Sequence, residues 1–113
     1  RGQLAENAKM LSFHHNFPEQ NHNEIEGWTV NPEIMNMFSI VWLHDADDHP
    51  GTQERMDISS SLLNTIAGSQ LTISQMGNQR TERLLKLIHF TDWISFYAAF
   101  NACFILLYNT KHF

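Results

Sequence analysis

Two short β-branched runs, each followed by a helix-patterned segment, constrain this chain more than anything else in it. Phe38 to Leu43 (Phe-Ser-Ile-Val-Trp-Leu) is short, apolar and aromatic, the pattern of a strand. Thr52 to Ala67 carries Met56, Ile58, Leu62, Leu63 and Ile66 as an amphipathic helix, and Gly68 is placed to stop it. Ser69 to Gln75 alternates, with Leu71 and Ile73 on one face, and reads as a second strand. Gly77-Asn78 turns the chain, and a long helix begins at Gln79, first amphipathic (Leu84, Leu85, Leu87, Ile88) and then apolar all round. Strand, helix, strand, helix in this order predicts an α/β fold with a parallel sheet flanked by helices, because parallel strands need a crossover between them. In such sheets the loops that bind ligands leave the carboxyl ends of the strands. The acidic loop from His44 to Gly51 follows the first strand and is therefore expected to border a site.

The chain before this alternation is less regular. Gly2 to Leu11 has Leu4, Ala5, Ala8 and Leu11 at helical spacing. Phe13 to Phe17 alternates weakly, as a short extended segment would, and Pro18 ends it. A polar stretch follows, with a helical turn expected from Asn23. Asn31-Pro32-Glu33 then marks a helix start, with an N-cap side chain, proline in the first turn and an acid near the positive end. That helix must be short, because the first strand begins at Phe38.

Composition removes several classes of function. The chain has 113 residues, 42% of them hydrophobic, which is the size and apolar content of one folded domain. No internal repeat or low-complexity linker divides it. The net charge of -5, without a Lys/Arg stripe, argues against nucleic acid as a partner. Cys103 is the single cysteine, so no intrachain disulfide forms, which fits a reducing, cytoplasmic location. Arg1 to Met10 lacks the apolar run of a secretory signal, and the absence of an initial methionine fits a piece of a longer protein. Trp93 to Tyr108 is almost entirely apolar but shorter than the roughly 20 residues of a membrane span. Ser95 and Asn101 interrupt it, so it reads as a buried core helix and no membrane partner is expected. No G-x-G-x-x-G or Walker sequence offers a phosphate cradle.

The chemistry concentrates in Pro18-Glu19-Gln20-Asn21-His22-Asn23-Glu24-Ile25-Glu26-Gly27-Trp28, which reads as the wall of a site for a small polar ligand. Glu24, between an amide and an apolar residue, would be held and partly desolvated, which raises a carboxyl pKa and suits a general base. The plain alternative is a helix-initiating acid. His49 is held extended by Pro50 and is a candidate proton shuttle near neutral pH; the alternative is a surface-loop histidine. His14, His15, His22, His44 and His49, with Asp45, Asp47 and Asp48, match no zinc spacing, and adjacent His14 and His15 point apart if extended, so no metal is expected. Asp92 beside Trp93, if buried, needs a hydrogen-bond partner, expected from a neighbouring loop.

Several blocks together resemble a known family. Gly2-Gln3-Leu4-Ala5-Glu6-Asn7-Ala8-Lys9, Pro18-Glu19, Asn21-His22-Asn23-Glu24-Ile25 and Gly27-Trp28 resemble the carboxy-terminal sugar-isomerase (SIS) domain of bacterial and archaeal bifunctional phosphoglucose/phosphomannose isomerases. Asp48-His49-Pro50, Arg55, Arg83 to Ile88, Asp92-Trp93, Ser95 and Tyr97 continue the likeness in order. The resemblance implies a flavodoxin-like three-layer sandwich, of which residues 1–113 would be the later part. It implies interconversion of glucose 6-phosphate, or mannose 6-phosphate, with fructose 6-phosphate through a cis-enediol, without metal or cofactor. Glu24 takes the place of the family's base. Ring opening falls to a histidine of the neighbouring subunit, matched here to His49 with His44 as competitor, which implies a homodimer with a shared site.

Two departures accompany the resemblance. The opening strand and the sugar-phosphate loops of the SIS domain would lie upstream of Arg1. An Asp-Pro-Thr-Pro-like turn is absent before Lys111, so no role is carried over to that lysine. These departures keep a second reading open, a non-catalytic sugar-phosphate-binding SIS module or an inactive fragment.

Overall fold

The computed structural model describes residues 1–109, with side-chain surroundings through Cys103; Lys111 lies outside the described residues. The elements follow in the order α1 (Gly2–Ala8), α2 (Gln20–Asn23), a 3-10 turn (Ile25–Thr29), α3 (Pro32–Met35), β1 (Ser39–His44), α4 (Pro50–Leu63), β2 (Ser69–Ser74) and α5 (Arg80–Asn109). The chain divides into two compact units, residues 15–84 and residues 1–14 with those from Leu85 on.

In the first unit, β1 and β2 pair in parallel, in register from Ser39 opposite Ser69 to His44 opposite Ser74. The α4 crossover between them makes this the predicted parallel α/β arrangement, compatible with a partial SIS-type domain. Trp42, Met56 and Leu63 form the core, with Phe17, Trp28, Ile40 and Ile66 packed against it. The Trp42 indole N–H needs an acceptor once buried. It donates to Gln70 Oε1 at 2.7 Å, and Gln70 Nε2 donates to the Ser60 carbonyl at 3.0 Å. One amide thus satisfies the core tryptophan and fastens β2 to α4.

The boundaries of α4 differ from the sequence expectation for physical reasons. The helix starts at Pro50, whose fixed φ and missing N–H suit a first position, and His49 caps it. It ends at Leu63, four residues before Ala67. Gly68 is not a left-handed helix stop, because no glycine described has positive φ. Its N–H donates to the Phe38 carbonyl at 2.9 Å, and a β-carbon there would lie well inside the van der Waals contact of the Asn36 carbonyl oxygen. Glycine is needed where two backbone segments touch, at the entrance to β2. The buried stripe of α4 is Met56, Ser59 and Leu63, whereas Ile58 and Leu62 are exposed. Leu71 and Ile73 share a sheet face as expected, but only Ile73 is buried.

Short elements also shift. The polar stretch is helical from Gln20 rather than Asn23, and Phe13 to Phe17 forms no strand. Asn31 stands at the N-cap of α3 with Pro32 after it, but its side chain makes no capping hydrogen bond.

In the second unit, α1 stops at Ala8 rather than Leu11. Lys9 adopts left-handed backbone, φ 56°, and Leu11 is left exposed. Asn7 Nδ2 donates to Ser95 Oγ at 3.0 Å, and Ser95 is buried. Trp93, Phe96, Tyr97 and Phe100 are about half exposed, so the described part of the apolar run is not the buried core helix that was expected. Trp93 stacks on Tyr97 at 5.9 Å and meets Phe96 edge-on at 5.7 Å. Asp92 Oδ1 is buried without a hydrogen-bond partner among the described residues, contrary to the expected loop contact. Among the described residues, no helix is long and apolar enough to cross a membrane.

Candidate active site

Glu24 closes α2 and opens the 3-10 turn. Its N–H donates to the Gln20 carbonyl at 3.3 Å, and its own carbonyl accepts from Gly27 N–H at 3.0 Å. The backbone of this residue is therefore fixed on both sides. Its carboxylate is not the desolvated group that the flanking residues suggested. The side chain is 42% exposed, and Oε2 lies 2.7 Å from His15 Nε2. One carboxylate oxygen is thus paired with an imidazole. Sequence reasoning weighed His15 only as a possible metal ligand and missed this pairing. The two lie nine positions apart, with irregular chain and the short α2 between them, and no periodicity links them.

The polar stretch divides into a structural part and a part that faces a cavity. Gln20 is buried, and Asn21 Nδ2 donates to the buried Ser59 Oγ at 2.9 Å. The Asn21 amide fastens α2 to α4. Pro18, Glu19, Asn21 and His22 also line a cavity of about 350 Å³ with Arg55 of α4. Asn21 Oδ1 is buried there without a partner among the described residues. The charged and titratable groups of the lining are the Arg55 cation, the Glu19 carboxylate and the His22 imidazole. Glu24 and His49 are not among the residues that line it.

His49 is the N-cap of α4. Its Nδ1 accepts the Gly51 N–H at 3.1 Å. His44 ends β1 and is partly buried. No hydrogen bond or ion pair joins Glu24 to His44 or His49 among the described residues. The turn that separates the two histidines is strongly charged. Asp45 accepts two hydrogen bonds from Arg83, and these with the Asp47 N–H hold its carboxyl at about 2, below the ordinary 3.8. The same carboxylates push the Arg83 guanidinium pKa upward. Among the described residues, no group of three or more His, Cys, Asp or Glu side chains could hold a metal ion.

A parallel strand–helix–strand unit, with a charged loop at the carboxyl end of its first strand, is compatible with a partial SIS-type α/β domain. Residues 1–102 match the model of the bacterial phospho-glucose isomerase C-terminal SIS domain, and the chain belongs to that family. It is 38% identical over 99 residues to a bifunctional phosphoglucose/phosphomannose isomerase of Caldicellulosiruptor bescii, covering 88% of this chain and 29% of the relative. It is 34% identical over 99 residues to a protein of the same name from Aquifex aeolicus, covering 88% of this chain and 31% of the relative. The chain thus spans about a third of the length of these curated relatives. No solved structure matches it significantly.

Proposed function

We propose that this chain is the later part of a carboxy-terminal SIS domain and supplies acid–base groups to an aldose–ketose isomerase. The substrates would be glucose 6-phosphate, or mannose 6-phosphate, and fructose 6-phosphate, in the cytoplasm. The observation that carries the reading is Glu24: an exposed carboxylate, fixed on one oxygen by His15, within the Asn-His-Asn-Glu block of the matched region. The names of the two relatives supply the reaction class.

The chemistry follows from those groups. Ring opening breaks the C1–O5 bond; O5 gains a proton and the O1 hydroxyl loses one. His49, or His44, serves this exchange from the neighbouring subunit of a homodimer. Glu24 then takes the C2 proton of the open aldose, giving the cis-enediol(ate), and returns it to C1, while a second proton passes from O2 to O1. No metal or cofactor has a part in this sequence.

Hydrogen–deuterium exchange at C2 of glucose 6-phosphate in D2O, followed by NMR, tests the assignment. Glu24→Gln should slow exchange by about 10²- to 10⁴-fold, the usual contribution of a positioned base, with folding nearly unchanged. Unaltered exchange in Glu24→Gln would remove Glu24 from the mechanism. The second reading, a module that binds sugar phosphate without turnover, is favoured by a cavity that Glu24 does not line. Binding without exchange in the complete protein would establish it instead.

A further inference from the structure

Arg83 is the one buried charged side chain among the described residues, 4% exposed. All three guanidinium nitrogens are committed. Nε and Nη2 donate to Asp45 Oδ2 and Oδ1 at 3.0 and 2.8 Å. Nη2 also donates to Asp47 Oδ2, and Nη1 to the Gly77 carbonyl at 3.0 Å. A β-carbon at Gly77 would press on the Glu82 carboxylate and the Arg83 chain, so the glycine lets the carbonyl approach. Desolvating a guanidinium is costly, and a buried ion pair often contributes little net stability. A planar fork bound at both edges does supply a fixed geometry.

The geometry it fixes is that of the turn between β1 and α4. Within that turn Asp48 Oδ2 accepts the Asp45 N–H at 2.8 Å, and Asp45 Oδ1 accepts the Asp47 N–H at 2.9 Å. Gln53 Nε2 then ties the Asp48 carbonyl to α4 at 3.2 Å. The next residue is His49. A neutral imidazole that accepts at Nδ1 carries its proton on Nε2. The edge left for a ligand is therefore an N–H donor.

We propose that Arg83 is a positioning residue for His49: by clamping Asp45 and Asp47 it sets the turn that holds the imidazole in its Nδ1-accepting tautomer. The inference deepens the isomerase reading and rests on it for the role of His49, but its first test does not need turnover. Side-chain 15N NMR of the full chain, above the imidazole titration range, reads the tautomer directly; His49→Gln assigns the signals. The expected result is an Nε2–H tautomer in the parent chain. Arg83→Met should give a mixed tautomer, with Gly51 amide exchange faster by about tenfold or more, while the tryptophan fluorescence of the chain keeps its folded signature. Arg83→Lys keeps the charge without the fork and should restore only part of the effect. If Arg83→Met does not fold, Asp47→Asn, which alters only the more exposed carboxylate, should give an intermediate tautomer ratio. A folded Arg83→Met chain, or failing that Asp47→Asn, with the parent tautomer and the parent Gly51 protection would overturn the proposal.

The role of His49 is tested apart from this in the complete protein by the C2 exchange assay. Misplacing a reacting group costs up to about 100-fold in rate. Arg83→Met should therefore lower the maximal exchange rate by about tenfold or more, with little change in the concentration for half-saturation. If His49→Gln leaves exchange untouched, the ring-opening reading falls, and the tautomer result still decides whether Arg83 positions His49.

Discussion

At the scale of residues, the most instructive pair is His15 and Glu24. The Asn-His-Asn-Glu block could be seen in the sequence because its density of polar groups is unusual. The imidazole that holds its glutamate could not, because it comes from irregular chain. Gln70 is a second case: a polar residue in a strand pattern gives no hint that it serves a tryptophan 28 positions earlier. Arg83 and Asp45 are a third, 38 positions apart. The last pair has a measurable consequence. Asp45 titrates at about 2 in the folded chain and near its ordinary 3.8 when unfolded. A depressed carboxyl pKa stabilises the fold above the unfolded value, and that contribution is lost as pH falls from about 4 to about 2. Asp45→Asn should therefore be less stable at neutral pH and lose less on acidification across that window. Urea unfolding at stepped pH checks this; equal acid dependence in parent and variant would refute it.

At the scale of elements, β1, α4 and β2 were legible because strand composition and proline or glycine punctuation agree with the tertiary fold. What was not legible is which side of each element meets the core. The five apolar residues read on α4 include two that stay exposed, and its buried stripe is centred on a serine that receives a hydrogen bond from α2. The same blindness made Gly68 look like a helix stop. It is instead the point where the chain entering β2 touches the Asn36–Phe38 backbone. Gly68→Ala should cost about 3 kcal/mol, the upper part of the range for an overpacked site, because backbone rather than a flexible side chain must move. A chemical-denaturation midpoint unchanged from the parent would contradict this.

At the scale of the molecule, family membership was legible from motif order over most of the chain, while the state of its surfaces was not. Val41, Leu43 and Leu71 are exposed on one face of a two-stranded sheet, and Trp93, Phe96, Tyr97 and Phe100 on α5. Apolar exposure of this extent marks interaction surfaces. It supports the proposed homodimer, and analytical ultracentrifugation across a dilution series should show a dimer that dissociates with partial unfolding. A compact, stable monomer at all concentrations would count against it. The parallel pairing has a further consequence, in time rather than in space. Ser39 meets Ser69 thirty positions later in the chain. During vectorial synthesis β1 leaves the ribosome long before its partner exists, and loop closure through the whole crossover must precede the first ladder bond. The β1–β2 ladder can therefore form only after α4 has been made, so the translation rate through the crossover sets the earliest moment of pairing.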